Sequence, residues 1–476
     1  MENHQLINMV VDSDSYKFSH WKQYPPGATA MFSYLESRGG EYEKTLFFGL
    51  QYYIKEYLSK PVTMEMVDAA ADFTEIHGVP FNYRGWKRIV EVHGGFLPVI
   101  IRAVPEGSII PTGNIMMSVE STDPECFWVV SWIETMLVRL WYPITVATRS
   151  YYCKKTILEF LEGTSDSPAD EIAFKLHDFG SRGVSSRESA MIGGAAHLVN
   201  FQGSDTVAGI IAANHYYNHE MAAFSIPATE HSTMTMWGKD READAYANLL
   251  DVYQDQPIFA CVSDSYDIYN AAKNIWGGSL RDAVKEYSGT LVIRPDSGEP
   301  AEVVVKLLHI LEDRFGVTLN SKSYKVINNN VRVIQGDGIN EHSMRDILVA
   351  VKENGYSTTN VTFGMGGGLL QQLDRDTCKF AFKCSWAEVN GVGVDVFKSP
   401  ITDSGKNSKR GKLELEETPY TNYGGVRTVL RENSTNSLLR DVYRNGEVLV
   451  DDDLEAIRLR TGLEWNQSNR WTDRKP

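Results

Sequence analysis

Between residues 258 and 368 the chain repeats one pattern four times: a short apolar, β-branched run that ends in glycine, aspartate or serine. IFACV runs into Ser263-Asp264-Ser265-Tyr266-Asp267, and TLVI into Arg294-Pro295-Asp296-Ser297-Gly298. VRVI runs into Gln335-Gly336-Asp337-Gly338, and VTF into Gly364-Met365-Gly366-Gly367-Gly368. A run that is apolar on both faces reads as a parallel strand covered on both sides. The intervals leave room for one helix each, and PAEVVVKLLHILEDRFG shows helical apolar spacing behind Pro300. This alternation predicts a β/α barrel whose working loops follow the C-terminal ends of its strands. Further strands are expected at 172–180 (IAFKLHDFG), at 206–210 (TVAGI) and in the run into Ser225-Ile226-Pro227. Helices are expected over SSRESAMIGGAAHLVNF and ADAYANLLDVYQ.

The pattern differs on either side of this block. Residues 1–150 mix helical stretches (QYYIKEYLSK, TMEMVDAAADFTEIHG) with short strands such as FLPVIIRAVPEG. After residue 380 strands return (FKCSWAEVNGVGVDVFK), followed by a polar loop at 402–412 and a polar tail. The expected fold is α/β: an irregular β/α barrel over 151–380, packed with a mixed α+β domain over 1–150 that 380–476 completes. No repeat recurs at a fixed period, which excludes a solenoid.

Composition narrows the function. With 476 residues, 42% hydrophobic and 23% charged, the chain can bury a large core as an ordinary globular protein. A net charge of −15 excludes a nucleic-acid surface, so any anionic substrate must be held by local Lys and Arg. The five cysteines are odd in number and scattered with no CxxC pair, which fits a reducing cytoplasm and neither a disulfide framework nor a structural zinc site. The N-terminus lacks a basic segment followed by a long apolar one, so a signal peptide is not expected. The stretch 126–141 (CFWVVSWIETMLVRLW) is too short to span a membrane and carries Glu134 and Arg139; a buried or interface helix is expected. At the strand ends, glycine admits backbone N–H groups to phosphate, and carboxylates can hold ribose hydroxyls or metal-bound water. An enzyme acting on a phosphorylated sugar is the reading these features support.

The strings Asp14-Ser15-Tyr16-Lys17, WKQYPPGA, KLHDFGSRGVSS (175–186), FQGSDTVAG (201–209), PATEHST (227–233), VSDSYDIYN (262–270), VIRPDSG (292–298), RVIQGDG (332–338) and FGMGGGLLQ (363–371) resemble, in order, those of the nicotinamide phosphoribosyltransferases. The resemblance implies a type II phosphoribosyltransferase fold and a homodimer with shared active sites. It also implies transfer of phosphoribosyl from 5-phosphoribosyl-1-pyrophosphate (PRPP) to nicotinamide, giving nicotinamide mononucleotide and pyrophosphate in NAD salvage. ATP would be a co-substrate acting through a phosphohistidine, and Mg²⁺ would be held through pyrophosphate and water with no protein ligand assigned.

Residue by residue, the resemblance sets Arg182, His231 and Arg294 against the pyrophosphate, where guanidinium forks suit phosphate oxygens. It makes His231 the phosphorylated residue, with Arg294 and Asp296 completing the catalytic set. Arg294, Pro295, Asp296, Gly336, Asp337, Gly366, Gly367 and Arg375 would surround the ribose and its phosphate. Phe179, and Tyr16 from the partner subunit, would stack on the pyridine ring, while Asp205 would accept from the carboxamide and repel a carboxylate. Arg38, Ser225, Ser263, Asp267, Lys383, Lys398 and Lys406 match positions on the phosphate or ATP side.

The residues alone leave plainer roles open. QGDG is a turn more often than a site. Asp267 can cap a helix beginning near Ile268. TVAGI reads as a strand, which weakens a capping role for Asp205, and an extended 227–233 would point Glu230 away from His231. Three departures from the family pattern stand out: a short segment after Arg38, Ala381 in place of a serine, and Phe174 in place of a tyrosine. They suggest a bacterial or viral member. Nicotinate phosphoribosyltransferases are the enzymatic alternative and tend to carry GTSN where this chain has Gly203-Ser204-Asp205-Thr206. A ligand-binding protein on a dead scaffold would be expected to lack His231, Arg294 or Asp296, and all three are present.

Overall fold

The computed structural model describes residues 8–328, 331–399, 408–418 and 425–462. The chain divides into two compact units, one of Met1–Thr148, His215–His219 and Leu373–Pro476, the other of Arg149–Asn214 and Glu220–Gln372.

In the second unit six parallel strands lie in the order Gly203–Ser204, Leu176–Asp178, Val361–Met365, Val331–Gln335, Thr290–Arg294, Ile258–Val262. The segment 224–228 joins the two outer strands. Phe224 bridges Gly203 on one side and Ala228 bridges Ala260 on the other, both in parallel sense. The Ser204 amide donates to Phe224 O at 3.2 Å and the Ala260 amide to Pro227 O at 2.9 Å. The sheet therefore closes on itself, and its strands follow one another around the ring in chain order. Ala260, Val292 and Ile334 form a buried cluster with Phe179, Ile226 and Ile258 packed against it. All four apolar runs with glycine, aspartate or serine endings are strands of this ring.

Helices lie between the strands as their apolar spacing requires. Arg187–His197 starts at a Ser186 cap, and Pro300–Phe315 buries Val303, Val304, Leu307, Leu308 and Leu311 along one face. TVAGI departs from expectation: Val207–Tyr217 is a helix. A five-residue apolar run cannot separate strand from helix by periodicity. Packing decides it, because a Cβ built on Gly209 would come within 2.6 Å of Gly194 Cα, so the two helices meet backbone to backbone. The expected strand at 172–180 shortens to Leu176–Asp178 behind a 3₁₀ turn at Ile172–Phe174.

The first unit holds a seven-stranded antiparallel sheet in the order Val392–Asp395, Phe380–Val389, Ala28–Ser37, Ile115–Ser121, Val99–Ala103, Arg440–Arg444, Glu447–Val448. Its long strand Ala28–Ser37 pairs with Phe380–Val389 along its length, from Ala28↔Val389 to Ser37↔Phe380. The 126–141 stretch is not one helix but two short ones, Val129–Trp132 and Glu134–Val138, before Trp141–Thr164 begins. Trp128 and Trp132 stand edge-on to the buried Trp86 at 5.3 and 5.4 Å, and this ring packing fixes the broken path. Among the described residues no helix is long and apolar enough to cross a membrane.

At the far end of the ring from these loops, the buried Lys175 holds carbonyls together. Its Nζ donates to Thr359 O at 2.9 Å and Val361 O at 3.3 Å, and pairs with Glu171 at 3.1 Å. Burial lowers its pKa, with Glu171 opposing the shift. Lys175→Met would strand Glu171 and these carbonyls, and should lower unfolding free energy by about 3 kcal/mol, read from denaturant titration.

Candidate functional site

The loops after neighbouring strands converge on one carboxylate that the sequence reading left unassigned. Asp264 follows Ile258–Val262, and its side chain is 5% exposed. Its Oδ1 accepts from His231 Nε2 at 2.8 Å. Its Oδ2 accepts the Asp296 amide at 3.1 Å and the Ser297 hydroxyl. Because a carboxylate only accepts, Nε2 is the donor, which leaves His231 Nδ1 facing Asp296 Oδ2 at 3.9 Å. The strand pairing Val262↔Arg294 sets the two loops side by side.

His231 does not lie in an extended segment. It opens the short helix His231–Thr235, with Glu230 extended before it (φ −115°, ψ 167°) and bonded through its carboxylate to the Ser232 hydroxyl. The helix turns the imidazole toward Asp264, which a strand geometry would not have required. Arg294 ends its strand with Nε buried and without a hydrogen-bond partner, a donor available to an anion. Arg182 and Asp337 are exposed on their loops, and Pro295 is buried behind Asp296.

Across the mouth, Phe179 follows Leu176–Asp178, with its amide on Met365 O at 3.0 Å. A Cβ on Gly364 would sit 1.9 Å from Phe179 Cε2, and one on Gly336 3.2 Å from it. Those two glycines make room for the ring. Gly367 has nothing within 4 Å of a built Cβ and remains open to a ligand, while a Cβ on Gly366 would lie 3.3 Å from Phe179 O. Asp205 is exposed and accepts from the Ser225 hydroxyl; it stands just before the helix Val207–Tyr217. His177 stands half-buried near it, and desolvation lowers the imidazole pKa while Asp205 opposes the shift.

Two side chains are committed elsewhere. The Ser263 hydroxyl is buried, donating to Cys261 O and accepting from Trp276 Nε1, each at 3.1 Å. Asp267 caps Ile268–Asn270, accepting from the Tyr269 and Asn270 amides at 2.9 and 3.0 Å.

Tyr16, Arg38, Arg375, Lys383 and Lys398 belong to the first unit. Tyr16 is 61% exposed. Lys383 has its pKa lowered by burial and by Arg38, Lys398 and Arg375, against Glu134, so these cations share one neighbourhood. Arg38 is partly neutralised by Glu36 at 2.7 Å. Lys406 lies outside the described residues. In this unit His93, Asp123 and Cys126 offer ligand atoms within 4.8 Å of one another. Arg88 already binds Asp123 at 2.8 Å and burial pushes the Cys126 thiol up to about 12, so an ion pair accounts for the cluster.

The family model for nicotinate phosphoribosyltransferases matches residues 174–447, more than half of the chain. The chain belongs to this family. It is therefore an enzyme of pentosyl transfer. Residues 8–101 match the N-terminal domain of nicotinamide phosphoribosyltransferases. A protein of Xanthomonas campestris pv. campestris named nicotinamide phosphoribosyltransferase is 51% identical over 462 residues, covering 96% of this chain and 98% of its own length. One of that name from Acinetobacter baylyi is 29% identical, covering 95% and 97%. Human nicotinic acid phosphoribosyltransferase shares the fold at a TM-score of 0.60 and 15% identity, covering 96% of this chain and 94% of its own. Nicotinate-nucleotide pyrophosphorylase of Pyrococcus furiosus does so at 0.62 and 14%, covering 99% of each.

Asp264→Ala would release His231 and the Arg294–Ser297 loop together. Loss of hydrogen bonds to a charged group of this kind costs about 1.5–3 kcal/mol, so kcat/KM for phosphoribosyl transfer should fall roughly ten- to a hundredfold. Steady-state kinetics beside a melting curve separates this from unfolding.

Proposed function

We propose that this phosphoribosyltransferase joins nicotinamide to PRPP, releasing nicotinamide mononucleotide and pyrophosphate in NAD salvage. The observation that carries the choice of base is Asp205, an exposed carboxylate at a strand end of the ring, in a chain half identical throughout its length to a relative named for nicotinamide. A carboxylate accepts from the NH₂ of a carboxamide and repels the anion of nicotinic acid. Ser225 orients it, and Phe179, held over Gly364, supplies an apolar face for the ring.

Breaking the anomeric C–O bond leaves positive character on the sugar and negative charge on pyrophosphate, so positioning and leaving-group stabilisation carry the rate. Arg294, Arg182 and His231 would receive the pyrophosphate, while Asp296 and Asp337 would hold ribose hydroxyls. Gly367 would admit the 5′-phosphate. Mg²⁺ would arrive with the pyrophosphate and neutralise it, and the half-buried carboxylate of Asp296 and the exposed one of Asp337 suit its water shell.

ATP enters this reading through His231. With Nε2 held by Asp264, Nδ1 is the nitrogen left to take the γ-phosphoryl group, releasing ADP. The active form would be a homodimer in which Tyr16 and the cations Arg38, Arg375, Lys383, Lys398 and Lys406 of one protomer complete the site of the other. An exposed Tyr16 ring and three cations gathered near Lys383 are what such sharing needs. The cysteines among the described residues are all free, four of them buried, in keeping with a reducing cytoplasm.

The direct test is incubation with PRPP, Mg²⁺ and either base, measuring pyrophosphate and mononucleotide. Nicotinamide should be preferred, and Asp205→Ser should lower kcat/KM for nicotinamide about ten- to a hundredfold while raising relative use of nicotinic acid. Preference for nicotinic acid in the unaltered enzyme would overturn the choice of base.

A further inference from the structure

Asp178 ends the strand Leu176–Asp178 at the mouth of the ring and is fully buried, with no part in the chemistry described above. Two bonds tie it to the base site. Its Oδ1 accepts the Gly180 amide at 2.7 Å, closing a turn around Phe179. Its backbone carbonyl accepts the Asp205 amide at 2.9 Å. Gly180 is held there closely, since a Cβ on it would meet Leu370 at 2.6 Å and Asp178 Oδ1 at 3.0 Å. The other carboxylate oxygen, Oδ2, is buried, and the buried Thr206 hydroxyl is its side-chain hydrogen-bonding neighbour.

Among the described residues no Lys or Arg forms an ion pair with this carboxylate. The titratable groups around it are Asp205 and, one residue earlier, His177, whose imidazole burial keeps below its usual range. A buried carboxylate without a counter-ion costs stability, and a core of apolar side chains would be more stable at this position. Its retention at the residue linking the stacking ring to the amide acceptor has a functional reading.

We propose that Asp178 is a positioning residue for the base. Its carboxylate locks the Phe179 turn and its carbonyl locks Asp205, so the stacking face and the amide acceptor stand at a fixed separation before the base arrives. This rests on the nicotinamide reading above. Asp178→Asn keeps an oxygen for the Gly180 amide and turns an NH₂ toward Thr206, whereas Asp178→Ala leaves the turn unanchored.

Asp178→Ala should raise KM for nicotinamide about tenfold while KM for PRPP changes by less than about twofold, and Asp178→Asn should recover most of the loss. Burial pushes the Asp178 carboxyl up to about 6. Below that pH it carries a proton and accepts the Gly180 amide less well, so KM for nicotinamide in the unaltered enzyme should rise as pH falls through about 6. The Asp178→Asn enzyme should lack that rise. Equal increases in both KM values, an Asn variant as impaired as Ala, or parallel pH profiles would overturn the proposal. Should Asp178→Ala fail to fold, the Asn pH profile alone decides. An unaltered enzyme that ignores nicotinamide condemns the base reading instead, and the same variants are then read with the base it accepts.

Discussion

The buried carboxylate of Asp264 accepts from His231 Nε2, from the Asp296 amide and from the Ser297 hydroxyl, so two loop segments take their positions from one side chain on a third. Each segment would otherwise be free to move on its own. The parallel strands beneath make the meeting possible: Val262 and Arg294 are register partners, and Ala228 is bridged to Ala260, which brings the His231 segment to the same side. Arg294, two residues before Asp296, carries an unpartnered buried donor, an arrangement that anticipates a negatively charged ligand.

Much of this was legible in the sequence. Four apolar runs ending in small and acidic residues became four neighbouring strands because burial on both faces leaves a continuous apolar run little other choice. Pro300 and the i, i+3, i+4 spacing behind it likewise became a helix with one buried face. The residues at the strand ends were visible for the same reason, since polar groups that interrupt an apolar pattern at its end face the mouth.

The failures share a physical cause: tertiary packing overrode local pattern. Thr206–Ile210 looks like a strand until Gly209 is found against Gly194, a contact between residues of two segments that spacing does not reveal. His231 looks extended by its neighbours, yet opens a helix. Asp264 stands within SDSYD, but nothing in that string distinguishes it from Asp267, which caps the next helix. Nothing in the strings around Gly336 and Gly364 reveals that the Phe179 ring lies against both. A carboxylate's role depends on which loop lies opposite, and that is a property of the closed ring.

Asp264 holds His231 by Nε2 and leaves Nδ1 bare. Nitrogen-15 NMR of the labelled imidazole, recorded in the free enzyme at a pH where the ring is neutral, reads the tautomer directly. The structure requires the proton on Nε2 and an unprotonated Nδ1, with that preference lost in Asp264→Ala. A proton on Nδ1, or a tautomer indifferent to Asp264, would contradict it.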